Sequence, residues 1–205
     1  MVNAANGLVR ILKQEGVEWV STFPTNVFNN PCGEEGVPNL MLRTERYAVA
    51  VADGFSRVSN GKKIGVCSLM GGLNAAGIQM AYGAIAQAYE DSSPILCLTD
   101  GVPPNKSGLE RFNIDDGFSD VTKWSGYINR PERVPEFMRR AFTQLKTGRT
   151  GPVLLQLPRD PGEYSEEDFP YTPVKGWKYQ GDPEDVRIAV QALRSSDNPV
   201  IYAGQ

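Results

Sequence analysis

Arg43-Thr44-Glu45-Arg46-Tyr47-Ala48-Val49-Ala50-Val51-Ala52-Asp53-Gly54-Phe55-Ser56-Arg57 follows a short apolar run, Leu40-Met41-Leu42, that reads as a buried strand. Alanines at 48, 50 and 52 sit beside valines at 49 and 51, an apolar block that predicts a helix buried on most sides. Thr44 suits the N-cap, and Glu45 falls in the first turn, where unpaired N–H groups and the helix dipole favour a carboxylate. Ligand chemistry in an α/β sheet gathers at the ends of its strands. Glu45 therefore has two readings: a solvated acid worth about 0.3–1 kcal/mol to its helix, or a carboxylate delivered to a site.

Upstream, Leu8, Ile11 and Leu12 place a helix over 3–15, and Gly16 stops it. Val17 to Phe23 alternates as a strand that ends at Pro24, and Thr25 and Asn26 form the loop beyond it. Asn29 to Pro38 reads as a loop. Downstream, Asn60-Gly61 turns the chain into a buried strand, Ile64 to Leu69. Met70 to Gly77 is then a glycine-rich turn before a helix of small residues, Ala81 to Tyr89. Exposed N–H groups at such a turn bind anions, but the spacing matches neither a Walker loop nor the dinucleotide fingerprint. Asp91 to Pro103 holds a helix end, a strand and a turn, and Pro104 to Thr122 is a long polar loop of the kind that often carries function. Within it Phe112 reads either as an anchor or as a site residue, and Lys123 just after it as a solvated surface charge. Pro131 to Lys146 is an amphipathic helix, and Val153 to Pro158 a last buried strand leaving the domain.

The bulk numbers exclude several classes. The chain has 205 residues, 40% of them hydrophobic, a net charge of −3 and scattered Lys and Arg, which argues against disorder and against a nucleic-acid surface. No apolar run approaches the ~20 residues of a membrane span, and the N-terminus lacks the pattern of a signal peptide. Three cysteines without paired spacing, two of them in apolar runs, suggest core thiols in a reducing cytoplasm.

Thr44-Glu45 with Ala52-Asp53-Gly54-Phe55-Ser56-Arg57 resembles the "HE…A(D/E)GYAR" signature of thiamine-diphosphate enzymes of the acetolactate synthase family. Thr147-Gly148-Arg149-Thr150-Gly151-Pro152-Val153 through Pro158-Arg159-Asp160 is similar to that family's "SGRPGPV…P(K/R)D". The resemblance implies an α/β fold, three-layer α/β/α with a mostly parallel sheet, for a pyrimidine-binding domain over 1–163. A linker over 164–181 and the start of a truncated central domain over 182–205, one helix and a strand at Asn198 to Gly204, would follow. It implies that Glu45 hydrogen-bonds the aminopyrimidine ring of thiamine diphosphate and activates it, with Pro24 and Thr25 approaching the cofactor. Thr44 replaces the family's His, and the chain has no His at all. In the glycine-rich turn two registers fit, Gly72 with Asn74 or Ala76-Gly77 with Gln79, and the first is favoured. Phe112 and Asn113 take the place of an "FQ" pair that points into a neighbouring subunit's active site. The implied activity is ligation or decarboxylation of a 2-oxo acid by a transferase or lyase. No "GDG…N" metal motif occurs, so Mg²⁺ and the diphosphate would be held by a domain absent from this chain, in a homo-oligomer or a complex with a diphosphate-domain subunit. The alternatives are a non-catalytic binding or regulatory subunit and, from the Gly71-Gly72 turn alone, an unrelated nucleotide-binding domain.

Overall fold

The computed structural model describes residues 1–203. The chain begins with β1 (Val2–Asn3) and α1 (Ala4–Gln14); Asn3 caps the helix, its Oδ1 accepting the Ala5 N–H at 2.9 Å. Gly16, at φ +84°, lets the chain leave α1 towards β2 (Val20–Thr22). There follow α2 (Asn29–Glu34), β3 (Asn39–Met41), α3 (Glu45–Val58), β4 (Gly65–Leu69), α4 (Ala76–Met80), α5 (Tyr82–Glu90) and β5 (Ile95–Gly101). The remainder is α6 (Ile114–Phe118), β6 (Trp124–Tyr127), α7 (Val134–Lys146), β7 (Val153–Pro158), β8 (Glu163–Tyr164) and α8 (Pro183–Ser195).

Strands β2 to β7 form one sheet in the order β3-β2-β4-β5-β7-β6, with every neighbouring pair parallel. Such a sheet must be covered on both faces, and its central strands show it. Along β5, Leu96 and Leu98 enter the core shared with α1 and α7, while Ile95 and Cys97 enter the core shared with α3 and α5. The three-layer α/β/α arrangement expected from the sequence is the one observed. Val2 and Asn3 pair antiparallel with Tyr164 and Glu163 in a separate two-stranded ribbon.

Several local readings change. Leu40 and Met41 are about half exposed, because β3 is the sheet edge and has only β2 beside it. Helix α3 buries one face, Ala48, Val49, Ala52, Asp53 and Ser56, and leaves Tyr47 and Val58 in solvent. The segment 29–38 contains α2, with Pro31 and Cys32 inside. The long loop holds a short 3₁₀ turn at Pro104–Lys106 and then α6, anchored by buried Ile114 and Phe118. Trp124–Tyr127 forms the far edge strand, so β7 lies inside the sheet and is not its last member. Lys123 is half-buried and its Nζ donates to the Gln144 and Thr147 carbonyls at 2.6 and 2.7 Å, closing the end of α7.

Tyr164 lies in β8, buried, its ring over Gly7. Beyond it the chain is pinned through Glu15, whose side chain is inaccessible. Lys146 Nζ lies 2.5 Å from Glu15, the Val174 N–H donates to it at 2.8 Å, and the Tyr171 hydroxyl donates as well. Helix α8 buries none of its residues, and residues 198–203 form no strand; Gly204, the end of the expected strand, lies outside the described residues. Glu15→Ala leaves the Tyr171 hydroxyl and the Val174 N–H without their acceptor and Lys146 with the Val174 carbonyl alone, so we expect about 1–3 kcal/mol lost in urea unfolding and faster proteolysis around Tyr171–Val174.

Candidate functional site

The topology selects a place before any side chain is considered. The chain leaves β2 for β3 on one side and leaves β4 for β5 on the other, while β2 and β4 are neighbours. The crevice past the carboxyl ends of two such strands is where open α/β sheets bind ligands. The segments that follow β2, β3 and β4 meet there: Phe23–Phe28, Leu42–Thr44 and Met70–Ala75.

Glu45 enters from the second of these strands, β3. Thr44 is the N-cap, with its Oγ1 accepting the Tyr47 N–H at 3.3 Å, and Glu45 opens α3. Glu45 is 5% exposed, so the solvated reading of this acid does not hold. The side chain turns onto the start of α4. A Cβ added at Gly77 would strike Glu45 Oε1 and come within 2.9 Å of both Cβ and O of Met70. The Ile78 N–H donates to the Met70 carbonyl at 2.8 Å, which fixes that turn. Among the described residues no hydrogen bond or ion pair reaches the Glu45 carboxylate, and its oxygens are not among the enclosed polar atoms that lack a partner, so they keep an opening to the crevice. The carboxylate therefore has an open acceptor position at the mouth of the crevice, beside Gly77.

The second wall is the loop after β2. Pro24 and Thr25 are exposed at its tip, and Thr25 takes φ +75°, a strained value for a β-branched residue. Asn26 holds the bend, its Nδ2 donating to Thr22 Oγ1 at 2.8 Å and its Oδ1 accepting the Phe28 N–H at 3.0 Å. The Val27 N–H donates to Asp100 Oδ1 at 2.7 Å, which ties the loop to β5. Asp100 is 1% exposed; burial raises its carboxyl pKa, while the N–H groups of Val27 and Gly71 and the Arg159 guanidinium pull it down. Gly72, at φ +72°, packs by Gly101, and Asn74 is exposed.

Phe112 and Asn113 line a cleft of about 570 Å³ with Tyr127 and Gln156, next to Ile114, whose side chain packs against Gly71 at the crevice. Phe112 packs edge-on to Phe118, centroids 6.2 Å apart, and Asn113 caps α6 by accepting the Asp115 N–H at 3.0 Å. Both therefore have a local structural task whatever else they do. Glu45, Met70 and Gly77 come together; Gly72 lies with Asp100 and Gly101; Phe112 and Asn113 form a third group.

Residues 2–122, more than half of the chain, match the model of the thiamine pyrophosphate enzyme N-terminal TPP binding domain. The chain belongs to this family. It is 34% identical over 217 aligned positions to a probable acetolactate synthase large subunit of Methanocaldococcus jannaschii, an alignment that covers 99% of this chain and 36% of that protein. It is 29% identical to glyoxylate carboligase of Escherichia coli O157:H7, over 99% of this chain and 35% of that one. The chain thus spans about a third of the length of these curated relatives. A benzoylformate decarboxylase from Polynucleobacter necessarius shares the fold, with a TM-score of 0.79 at 23% identity over 98% of this chain and 38% of that one.

The sequence singled out Glu45 and favoured Gly72 with Asn74 in the glycine turn; in the structure it is Gly77, of the other register, that lies against the Glu45 carboxylate. Asp100 escaped notice, although a charged residue inside the apolar run Ile95–Gly101 is itself a signal. Among the described residues no three His, Cys, Asp or Glu side chains converge as a metal site. Gly77→Ala should displace the Glu45 carboxylate and cost about 1–3 kcal/mol. The measurement is chemical denaturation together with the Glu45 side-chain NMR shift.

Proposed function

We propose that this chain forms the pyrimidine side of a thiamine-diphosphate site, in an enzyme that ligates or decarboxylates 2-oxo acids as acetolactate synthase does. One observation carries the reading: a residue at a strand-to-helix junction, only 5% exposed, whose carboxylate takes no hydrogen bond from the chain, opens to the crevice and faces a glycine. A cofactor ring nitrogen is the donor such a group lacks. Thiamine diphosphate, when bound, supplies a thiazolium carbon that serves as nucleophile and electron sink. Glu45 would share a proton at Oε1 with the aminopyrimidine ring, a hydrogen bond strengthened by the low dielectric of its pocket. Pro24, Thr25, Gly72 and Asn74 would border the cofactor, and Phe112 and Asn113 the substrate or a partner.

The diphosphate and Mg²⁺ would be held by a diphosphate-binding domain of a partner subunit, in a homo-oligomer or a split complex. The surface beside Glu45 supports this. Tyr47 and Met80, both more than half exposed, line a cleft of about 540 Å³ together with Thr44 and Ala84, an apolar surface suited to burial against a partner. The face is not a membrane span, since no helix among the described residues is long and apolar enough to cross a bilayer. Three buried free thiols, two with Sγ atoms 3.5 Å apart and unbonded, are in keeping with a reducing cytoplasm.

The test is a titration of thiamine diphosphate and Mg²⁺ into the chain assembled with a diphosphate-domain partner, followed by turnover of pyruvate. Glu45→Gln is expected to lower turnover about 10²–10⁴-fold with the assembly intact. Full activity in that variant would make the chain a non-catalytic subunit.

A further inference from the structure

We propose that Asp100 is a positioning residue for this site, a single buried carboxylate that holds the Pro24–Val27 loop and the Gly71-Gly72 turn in place on either side of the crevice. The inference rests on the thiamine-diphosphate reading for its purpose, while its geometry stands by itself. Asp100 interrupts an otherwise apolar central strand and is 1% exposed. A residue there for packing alone would be apolar, since a buried carboxylate is unfavourable unless its oxygens are served. Here they are. Oδ1 accepts the Val27 N–H at 2.7 Å, Arg159 Nη2 lies 3.4 Å from Oδ2, and the Gly71-Gly72 turn packs on the same residue, its Gly71 N–H lowering the carboxyl pKa and a Cβ at Gly72 coming within 3.6 Å of Asp100 Cβ.

Val27, the Gly71-Gly72 turn and Arg159 lie in the segments that follow three different strands, β2, β4 and β7. The two loops need such a tie. Thr25 and Gly72 both hold left-handed backbone conformations, and Gly71 lies so close to β5 that a Cβ there would come within 2.7 Å of Asp100 O. The segments 24–28 and 70–74 contain no ionisable side chain, so Arg159 is the one charged group that faces Asp100 among the described residues. A charged acceptor binds two backbone N–H groups at once more strongly than a neutral one. An amide at this position keeps one acceptor oxygen, loses the charge, and places an N–H where the carboxylate has its second oxygen.

The experiment uses the ¹⁵N-labelled chain. The Val27 and Gly71 amide resonances should titrate with one shared midpoint above the ordinary Asp value of 3.8. That midpoint should vanish in Asp100→Asn. In Asp100→Ala both amides should exchange with solvent about tenfold faster or more, the loss of a hydrogen bond worth about 1.4 kcal/mol, while Leu96 and Leu98 in the same strand keep their protection. Asp100→Asn should restore part of it. In the assembled protein, Asp100→Asn should raise the half-saturating thiamine diphosphate concentration about tenfold and leave turnover at saturation near its starting value. Separate midpoints for the two amides, or protection lost evenly across the sheet, would overturn the proposal. The titration of the unmodified chain decides the matter even if Asp100→Ala does not fold. A silent Glu45→Gln would remove the cofactor reading and leave the amide result intact, so the two failures are distinguishable.

Discussion

Helix α3 lies almost in contact with the backbone of β4, and the position of the candidate site depends on that approach. A Cβ at Gly65 would overlap the Ala52 carbonyl and sit 2.9 Å from Ala52 Cα, so the helix can come this near only because the strand begins with glycine. The face it presents is correspondingly small: Ala48, Ala52 and Ser56. Polar ties then set its height on the sheet. Ser56 Oγ donates to Pro94 O at 2.7 Å and accepts the Gly65 N–H at 2.8 Å, while Ser21 Oγ donates to Ala48 O at 2.6 Å. Each such bond is worth about 0.5–1.5 kcal/mol. With the body of α3 pressed down, its first residue has to enter the sheet end as well, and that residue is Glu45.

The far end of the same helix has a different task. Arg57 pairs with Asp53 one turn earlier at 2.9 Å and with Asp91 before β5 at 2.7 Å. The acid and base of the opening stretch that resemble the family signature most closely are thus spent on holding α3 to the next unit of the fold. Its chemistry is left to the first turn.

Two buried carboxylates at the carboxyl ends of the strands illustrate opposite solutions to one electrostatic problem. Asp100 takes the Val27 N–H and the Arg159 guanidinium from two different loops and is satisfied within the chain. Glu45 has none, and it is the group left open to a ligand. The difference is one of surroundings, since the two side chains are chemically alike.

How far the sequence could be read follows the same division. The central strands, α1, α7 and the junction at Glu45 are local facts, set by apolar runs, by Asn3 and Thr44 as caps and by Gly16 as a stop, and these act over a few residues. Where β3 lies in the sheet, that Trp124–Tyr127 becomes its far edge, and that Gly77 is the glycine beside Glu45 depend on which segments pair across the sheet. No local pattern encodes a pairing, because strand order is fixed by long-range burial and loop geometry. Lys123 shows the limit plainly: in sequence it is an ordinary surface charge, and only the arrival of the end of α7 turns it into a cap. The sequence alone determined an α/β chain with a carboxylate at a strand-to-helix turn. The tertiary structure decided that this residue is drawn into the sheet end with no partner from the chain while Asp100 takes donors from it, because burial and hydrogen-bond supply come from segments far apart in the chain.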